Sequence, residues 1–253
     1  MAGDADLITP AADTTTENTL PKPVTICVFC GSRPGISPGY LAAARSLAEV
    51  FHRHSIRLVY GGGTVGLMGE LARTLVSLSG PQAVHGIIPK ALVEYERGAP
   101  EAFASGAQPS ESGVPDETVF GRTTVVPDMH TRKRLMAQEV IAGGLGGGFV
   151  ALPGGYGTLE ELMEVVTWNQ LGIHGRGIVA YNVEGYWDGV MDWVKGAVTA
   201  GFVGEGAAGI LVEAKDAEDV VTKLRDYQNA EGRLRLNWEK SDSNEVGGKL
   251  QFA

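Results

Sequence analysis

Apolar runs of strand length punctuate the chain at Val24 to Phe29, Arg57 to Tyr60, Val84 to Ile88, Thr123 to Val126, Gly148 to Leu152, Gly177 to Tyr181 and Gly209 to Val212. Between most of them lie stretches whose apolar residues recur every three or four positions: Tyr40 to His54, Leu67 to Leu78, Thr131 to Ile141, Leu159 to Leu171, Trp187 to Ala200 and Ala217 to Tyr227. These predict amphipathic helices. Strands that alternate with helices specify an α/β fold whose mainly parallel sheet is covered on both faces. Three of the strands run directly into glycines, at Gly31, at Gly61-Gly62-Gly63 and at Gly154-Gly155. Ligands of open α/β sheets bind outside the carboxyl ends of the strands, so these loops are expected to converge on one crevice.

The periodic pattern fails at both ends. Residues 1–22 and 229–253 are polar and read as mobile tails around a single domain, 23–228. Residues 97–121, rich in glycine, proline, serine and acids, read as a long surface excursion between two core strands.

Composition narrows the class. With 253 residues, 43% hydrophobic and 20% charged, the chain is long enough to bury a core within one domain. No apolar run reaches the eighteen or so residues a membrane-spanning helix needs, and the acidic, Thr-rich beginning lacks the pattern of a secretion signal. Two cysteines, Cys27 and Cys30, cannot supply a disulfide framework, which points to a reducing, cytoplasmic setting. Their CxxC spacing lies along a strand rather than at a helix start, so a buried structural role outweighs a redox one. A formal charge of −9 argues against nucleic acid as a partner, and leaves open a small anion met by locally concentrated positive potential.

The most informative segment is Leu152-Pro153-Gly154-Gly155-Tyr156-Gly157-Thr158-Leu159-Glu160-Glu161, where a strand gives way to a helix predicted to begin after Thr158 as N-cap. Glycines let the backbone approach a ligand, and the free N–H groups and positive end of the helix attract a phosphate. A tight capped turn would use the same residues. The second loop contains G-x-G-x-x-G at Gly61, Gly63 and Gly66, but the next strand ends in Ile88-Pro89-Lys90, without the acid that a dinucleotide fold places on the ribose. No P-loop and no G-x-S-x-G elbow occur. Asp128-Met129-His130-Thr131-Arg132-Lys133-Arg134 places cations where a strand end meets a helix start, although Arg134 reads as a solvated helix residue.

Gly61-Gly62-Gly63-x-x-Gly66-Leu67-Met68-Gly69, Met129-His130-x-Arg132-Lys133, Pro153 to Glu161 and Trp168-x-Gln170-Leu171-Gly172-Ile173-His174 together closely resemble the LOG family of cytokinin-activating phosphoribohydrolases, from about Val24 to Tyr227. The resemblance implies a Rossmann-like, doubly wound sheet. It also implies hydrolysis of N6-modified adenosine 5′-monophosphates, and of AMP, to free base and ribose 5-phosphate, with no cofactor and no metal. Carried across, it makes Arg132 and Glu161 the catalytic pair. It assigns nucleotide contacts to Gly31 and Ser32, to the turn Gly61, Gly62, Gly63 and Thr64, to Glu96, Met129 and Lys133, to Gly154, Gly155, Tyr156, Gly157, Thr158, Leu159 and Glu160, and to Thr167. Two stretches, 97–121 and Val140 to Gly148, are longer than in compact members.

Residue chemistry agrees with that reading. Cleaving an N-glycosidic bond develops positive charge on the ribose, which a carboxylate can stabilise while it positions or deprotonates water. An arginine is a poor base but a good fork for hydroxyls, phosphate or a carboxylate. Spacing alone does not say whether Glu160 or Glu161 faces the ligand. Two other functions stay open at this point: an amino-acid decarboxylase, as an older label of such proteins suggests, and a non-catalytic AMP-binding module. The apolar Trp168, Leu171 and Ile173 exceed what one sheet face needs, and in similar proteins this region forms a dimer interface, so a homo-oligomer is expected.

Overall fold

Strand β1 (Thr25–Phe29) is buried along its whole length, and its side chains alternate between two cores: Ile26 and Val28 enter one, Cys27 and Phe29 the other. The same alternation places Val150 and Leu152 opposite Phe149 and Ala151. A strand flanked by two apolar layers must be covered on both faces, and it is. The computed structural model describes residues 21–93, 113–234, 236 and 238.

The sheet also contains β2 (Arg57–Tyr60), β3 (Val84–Pro89), β4 (Arg122–Val126), β5 (Gly148–Ala151), β6 (Gly177–Tyr181) and β7 (Leu211–Ala214). All neighbours pair in parallel, in the order β4-β3-β2-β1-β5-β6-β7. Helices α1 (Pro38–Arg53), α2 (Gly66–Ser79) and α6 (Ala217–Arg225) cover one face through Leu47, Phe51, Leu71, Leu75, Val220 and Leu224. Helices α3 (Met129–Ala142), α4 (Tyr156–Gln170) and α5 (Asp188–Thr199) cover the other, where Met136, Val140, Leu162 and Val165 are buried. Each such side chain contributes roughly 1.5–3 kcal/mol when fully buried. The sheet is therefore doubly wound: it grows outward from β1 to β4, then restarts at β5 on the other side of β1.

Several boundaries differ from the sequence pattern. Strand β7 starts two residues later than its apolar run, because Glu205–Ile210 forms a 3₁₀ helix ahead of it. Within 97–121, residues 113–121 are described and hold a one-turn helix, Glu117–Phe120, capped by Asp116 and anchored by the buried Phe120. The rest of that stretch, and residues 1–20 of the N-terminal one, lie outside the described residues. In the C-terminal stretch, Leu234 N–H donates to Gln170 O at 2.7 Å, Arg233 Nε to Asn169 O at 2.8 Å and Trp238 Nε1 to Leu171 O at 3.0 Å. No helix among the described residues is long and apolar enough to cross a membrane.

Arg176 closes the end of α3, donating to the carbonyls of Ile141, Gly143 and Gly144 at 2.7, 2.8 and 2.7 Å, as helix carbonyls without intrahelical donors require. His174 beside it is buried against Phe149, with ring centroids 5.1 Å apart. Its Nε2 lies 2.9 Å from Val165 O, and its Nδ1 accepts from Arg176 N–H at 3.1 Å, which fixes a neutral ring. Burial pushes its pKa down to about 4. The unfolded chain therefore binds a proton between about pH 6.5 and 4 that the folded chain does not, so stability falls as pH drops through that window. In urea titrations His174 should account for about 3 kcal/mol of this loss. His174→Gln, which keeps a donor and an acceptor, should flatten the slope; an unchanged slope would rule the residue out.

Candidate active site

The switch point between β1 and β5 opens a cleft at the carboxyl ends of the strands, where chains that turned in opposite directions leave a gap. The three glycine loops meet there. Gly31 N–H donates to Pro153 O at 2.9 Å, and Leu67 N–H donates to Gly31 O at 3.1 Å, so the exits of β1 and β5 and the start of α2 are joined main chain to main chain. Such proximity excludes side chains: a Cβ on Gly154 would lie 2.1 Å from Thr158 Oγ1 and 2.9 Å from Gly31 N.

Helix α4 begins at Tyr156 rather than after Thr158, with Gly155 as its N-cap and no side chain capping it. Thr158 sits inside the first turn, buried, with its hydroxyl over Gly154. A side chain drawn toward Gly154 cannot also cap, and the leading N–H groups of α4 are left with no intrahelical acceptor. Together with the helix dipole they make this end of α4 electrostatically favourable to an anion.

Glu161 lies one turn further on and is buried, as is Arg132 in the first turn of α3. Arg132 donates through Nη2 to Glu161 Oε1. Asp128 caps α3 by accepting from Thr131 N–H at 2.7 Å, which aims that first turn at the cleft. Room for the guanidinium comes from Gly61, where a Cβ would stand 3.3 Å from Arg132 Nη1 and from Met68 Sδ. Arg132 Nε is buried without a hydrogen-bond partner, while the residue itself borders the cleft. Burial pushes the Glu161 carboxyl above the usual carboxylate range, against the opposing pull of Arg132.

The structure separates the two adjacent glutamates. Glu160 points outward to Lys133, whose Nζ lies 2.5 Å from Glu160 Oε1 and 3.1 Å from Glu164 Oε1. Burial disfavours the Lys133 ammonium, but hydrogen bonds to these two carboxylates outweigh it and raise its pKa.

A cavity of about 270 Å³ brings together Arg132 and Glu161 with Gly31, Ser32, Gly61 and the Gly155 to Thr158 turn. Gly62, Gly63 and Thr64 are buried and do not line it. Met129, Tyr156 and Leu159 are exposed around the helix starts. Thr167 is exposed three turns along α4, bonded to Met163 O at 2.8 Å, and the fold does not bring it to this cavity. Glu96 lies outside the described residues. The sequence pattern missed Met68 and Cys30, which also line the cavity. Met68 had a signal, standing inside the second glycine motif; Cys30 had one only as the apolar residue just after its strand. Burial raises the pKa of both Cys27 and Cys30, so both thiols stay protonated.

Comparison with known proteins gives a family and a fold. A family model described as "Possible lysine decarboxylase" matches residues 68–224. A "Bifunctional cytokinin biosynthesis protein" of Fusarium pseudograminearum (strain CS3096) is 53% identical over 218 residues, 86% of this chain but only 43% of that protein's length. The cytokinin riboside 5′-monophosphate phosphoribohydrolase LOG1 of Arabidopsis thaliana is 42% identical over 216 residues, covering 85% of this chain and 89% of its own. The molybdenum cofactor carrier protein of Chlamydomonas reinhardtii superposes with a TM-score of 0.53 at 17% identity, over 81% of this chain and 97% of its own, a likeness of fold alone.

The contacts of Gly154 and of Gly157, in the first turn of α4, predict opposite outcomes. Gly154→Ala drives a methyl into Thr158 and the Gly31 backbone, and should lower stability to urea by about 2 kcal/mol or more. Gly157→Ala meets no atom within 4 Å and should leave the unfolding midpoint nearly unchanged. Equal effects would contradict the close approach at Gly154.

Proposed function

The chain belongs to the LOG family of cytokinin riboside 5′-monophosphate phosphoribohydrolases, and on that premise we propose that it hydrolyses N6-modified adenosine 5′-monophosphates to the free base and ribose 5-phosphate. The observation that carries this reading is the buried Arg132–Glu161 pair facing a cavity that also receives the uncapped start of α4. The N–H groups of that turn bind the 5′-phosphate, which brings the anomeric carbon of the ribose toward Glu161. As the bond from C1′ to the base nitrogen breaks, the carboxylate stabilises the developing positive charge. Glu161 then takes a proton from the water that bonds to C1′, and the departing base takes one up. Arg132 orients Glu161, and its guanidinium, which borders the cavity, holds a sugar or phosphate oxygen. AMP shares the ribose and phosphate and serves as a further substrate.

The lysine-decarboxylase reading needs an amine that can be neutral to form an imine. Lys133, beside the catalytic pair, is held charged by two carboxylates. A module that only binds AMP would keep the same loops, and chromatography of the incubated nucleotide separates it from an enzyme by the presence of free base. The cytoplasmic setting belongs to the same proposal, supported by the two free, buried cysteines. A second copy covers the apolar groove between α4 and α5, where Trp193 is 57% exposed beside Val166 and Val203. In sedimentation equilibrium Trp193→Lys should shift a dimer toward monomer; a wild-type monomer would remove this part of the proposal.

Activity should depend on the phosphate: the dephosphorylated riboside should react at least about 100-fold more slowly in kcat/KM, and equal rates would refute the phosphate loop. Glu161→Gln and Arg132→Ala should each lower kcat by about 10³-fold or more while circular dichroism shows an intact fold. Because burial raises the Glu161 pKa, kcat/KM should fall with decreasing pH along a limb centred above the ordinary glutamate value near 4.5. A limb at or below that value would exclude Glu161 as the titrating group.

A further inference from the structure

Nothing in the local sequence fixes the orientation of the Gly154–Gly155 peptide. Two successive glycines leave it free to rotate, and a Cβ at Gly155 would meet no atom within 4 Å. The restraint comes from a distant residue. Tyr186, in the loop after β6, donates its hydroxyl hydrogen to the Gly154 carbonyl. Its ring is held in turn, edge-to-face with Tyr40 at 6.0 Å and with Trp187 at 5.1 Å between centroids. Trp187 Nε1 donates to Ala151 O at 3.1 Å, so this loop grips the exit of β5 at two points.

A trans peptide is planar, with its C=O and N–H directed to opposite sides. Holding the Gly154 carbonyl toward Tyr186 therefore turns the Gly155 N–H away from it. The linings of the two neighbouring cavities agree. Gly154, Tyr40 and Tyr186 border an adjoining, more apolar cavity of about 230 Å³, which Gly155 also lines. Gly155 to Thr158, without Gly154, border the one that holds Arg132 and Glu161. We infer that Tyr186 is a positioning residue whose hydroxyl pins the Gly154–Gly155 peptide, so that the N–H at the start of α4 is aimed at the substrate phosphate. The inference deepens the proposed function and rests on its assignment of the phosphate to this turn.

Tyr186→Phe removes the hydroxyl and keeps both ring contacts. By calorimetry on the full chain, its affinity for ribose 5-phosphate should weaken about 10-fold relative to wild type. The KM for the N6-modified monophosphate should rise by a similar factor while kcat changes less than about twofold. Unchanged ribose 5-phosphate affinity overturns the pin, even if the melting temperature falls, because the hydroxyl is then only structural. A raised KM without matching loss of ribose 5-phosphate affinity overturns it too, since the hydroxyl then serves the base. Binding is read without turnover, so a wild-type chain that binds ribose 5-phosphate but releases no base refutes the proposed function, whereas weakened binding by Tyr186→Phe still supports the pin.

Discussion

A guanidinium and a carboxylate, Arg132 and Glu161, share a position from which most water is excluded, and the rest of the cleft is arranged around that contact. Taking two charges out of water costs several kcal/mol each, which their attraction offsets only in part, so an apolar pair of similar size would have served stability as well or better. The protein keeps the charges and builds their surroundings to suit: a glycine at position 61 to admit the guanidinium, a capped first turn to aim it, and a helix start that carries the carboxylate. Burial leaves Glu161 easier to protonate than an ordinary glutamate, the poise expected of a group that exchanges protons in a reaction.

That contact depends on the winding of the sheet. Arg132 arrives on the helix after β4, the last strand of one half, and Glu161 on the helix after β5, the first strand of the other. Only where the strand order reverses do the two helices start on either side of one cleft. The same reversal lets the exits of β1 and β5 touch through their backbones, which demands glycine at position 154.

A chain with a net charge of −9 needs a local source of positive potential if, as proposed, its cleft takes an anion. Lys133 is already neutralised by Glu160 and Glu164, and Arg132 by Glu161. What remains is the field of main-chain N–H groups at the start of α4, which no titration removes and which rigid loops can hold in place. A loop rich in glycine approaches a ligand closely but does not hold a direction by itself. The aromatic cluster of Tyr40, Tyr186 and Trp187 provides the rigidity that the loop lacks.

The sheet, its helices and the glycine turns were legible in the sequence because each is written locally. Strands buried on both faces leave near-continuous apolar runs, helices leave a three-to-four spacing, and close backbone approach leaves glycines. Arg132, Glu161 and the glycine turns could be named from their motifs for the same reason. Other features join residues with no common period. The choice of Glu161 over Glu160 depends on how far α4 is rotated against α3, and the start of α4 at Tyr156 depends on Thr158 turning toward Gly154. Thr167 sits on the same helix yet faces away from the cleft, and Tyr186 reaches Gly154 across 32 residues. Residue order thus determined the elements and the chemical groups available. Which groups meet was decided only by packing, because the distance between two side chains across a cleft depends on the rotation and register of whole elements, which no local pattern encodes.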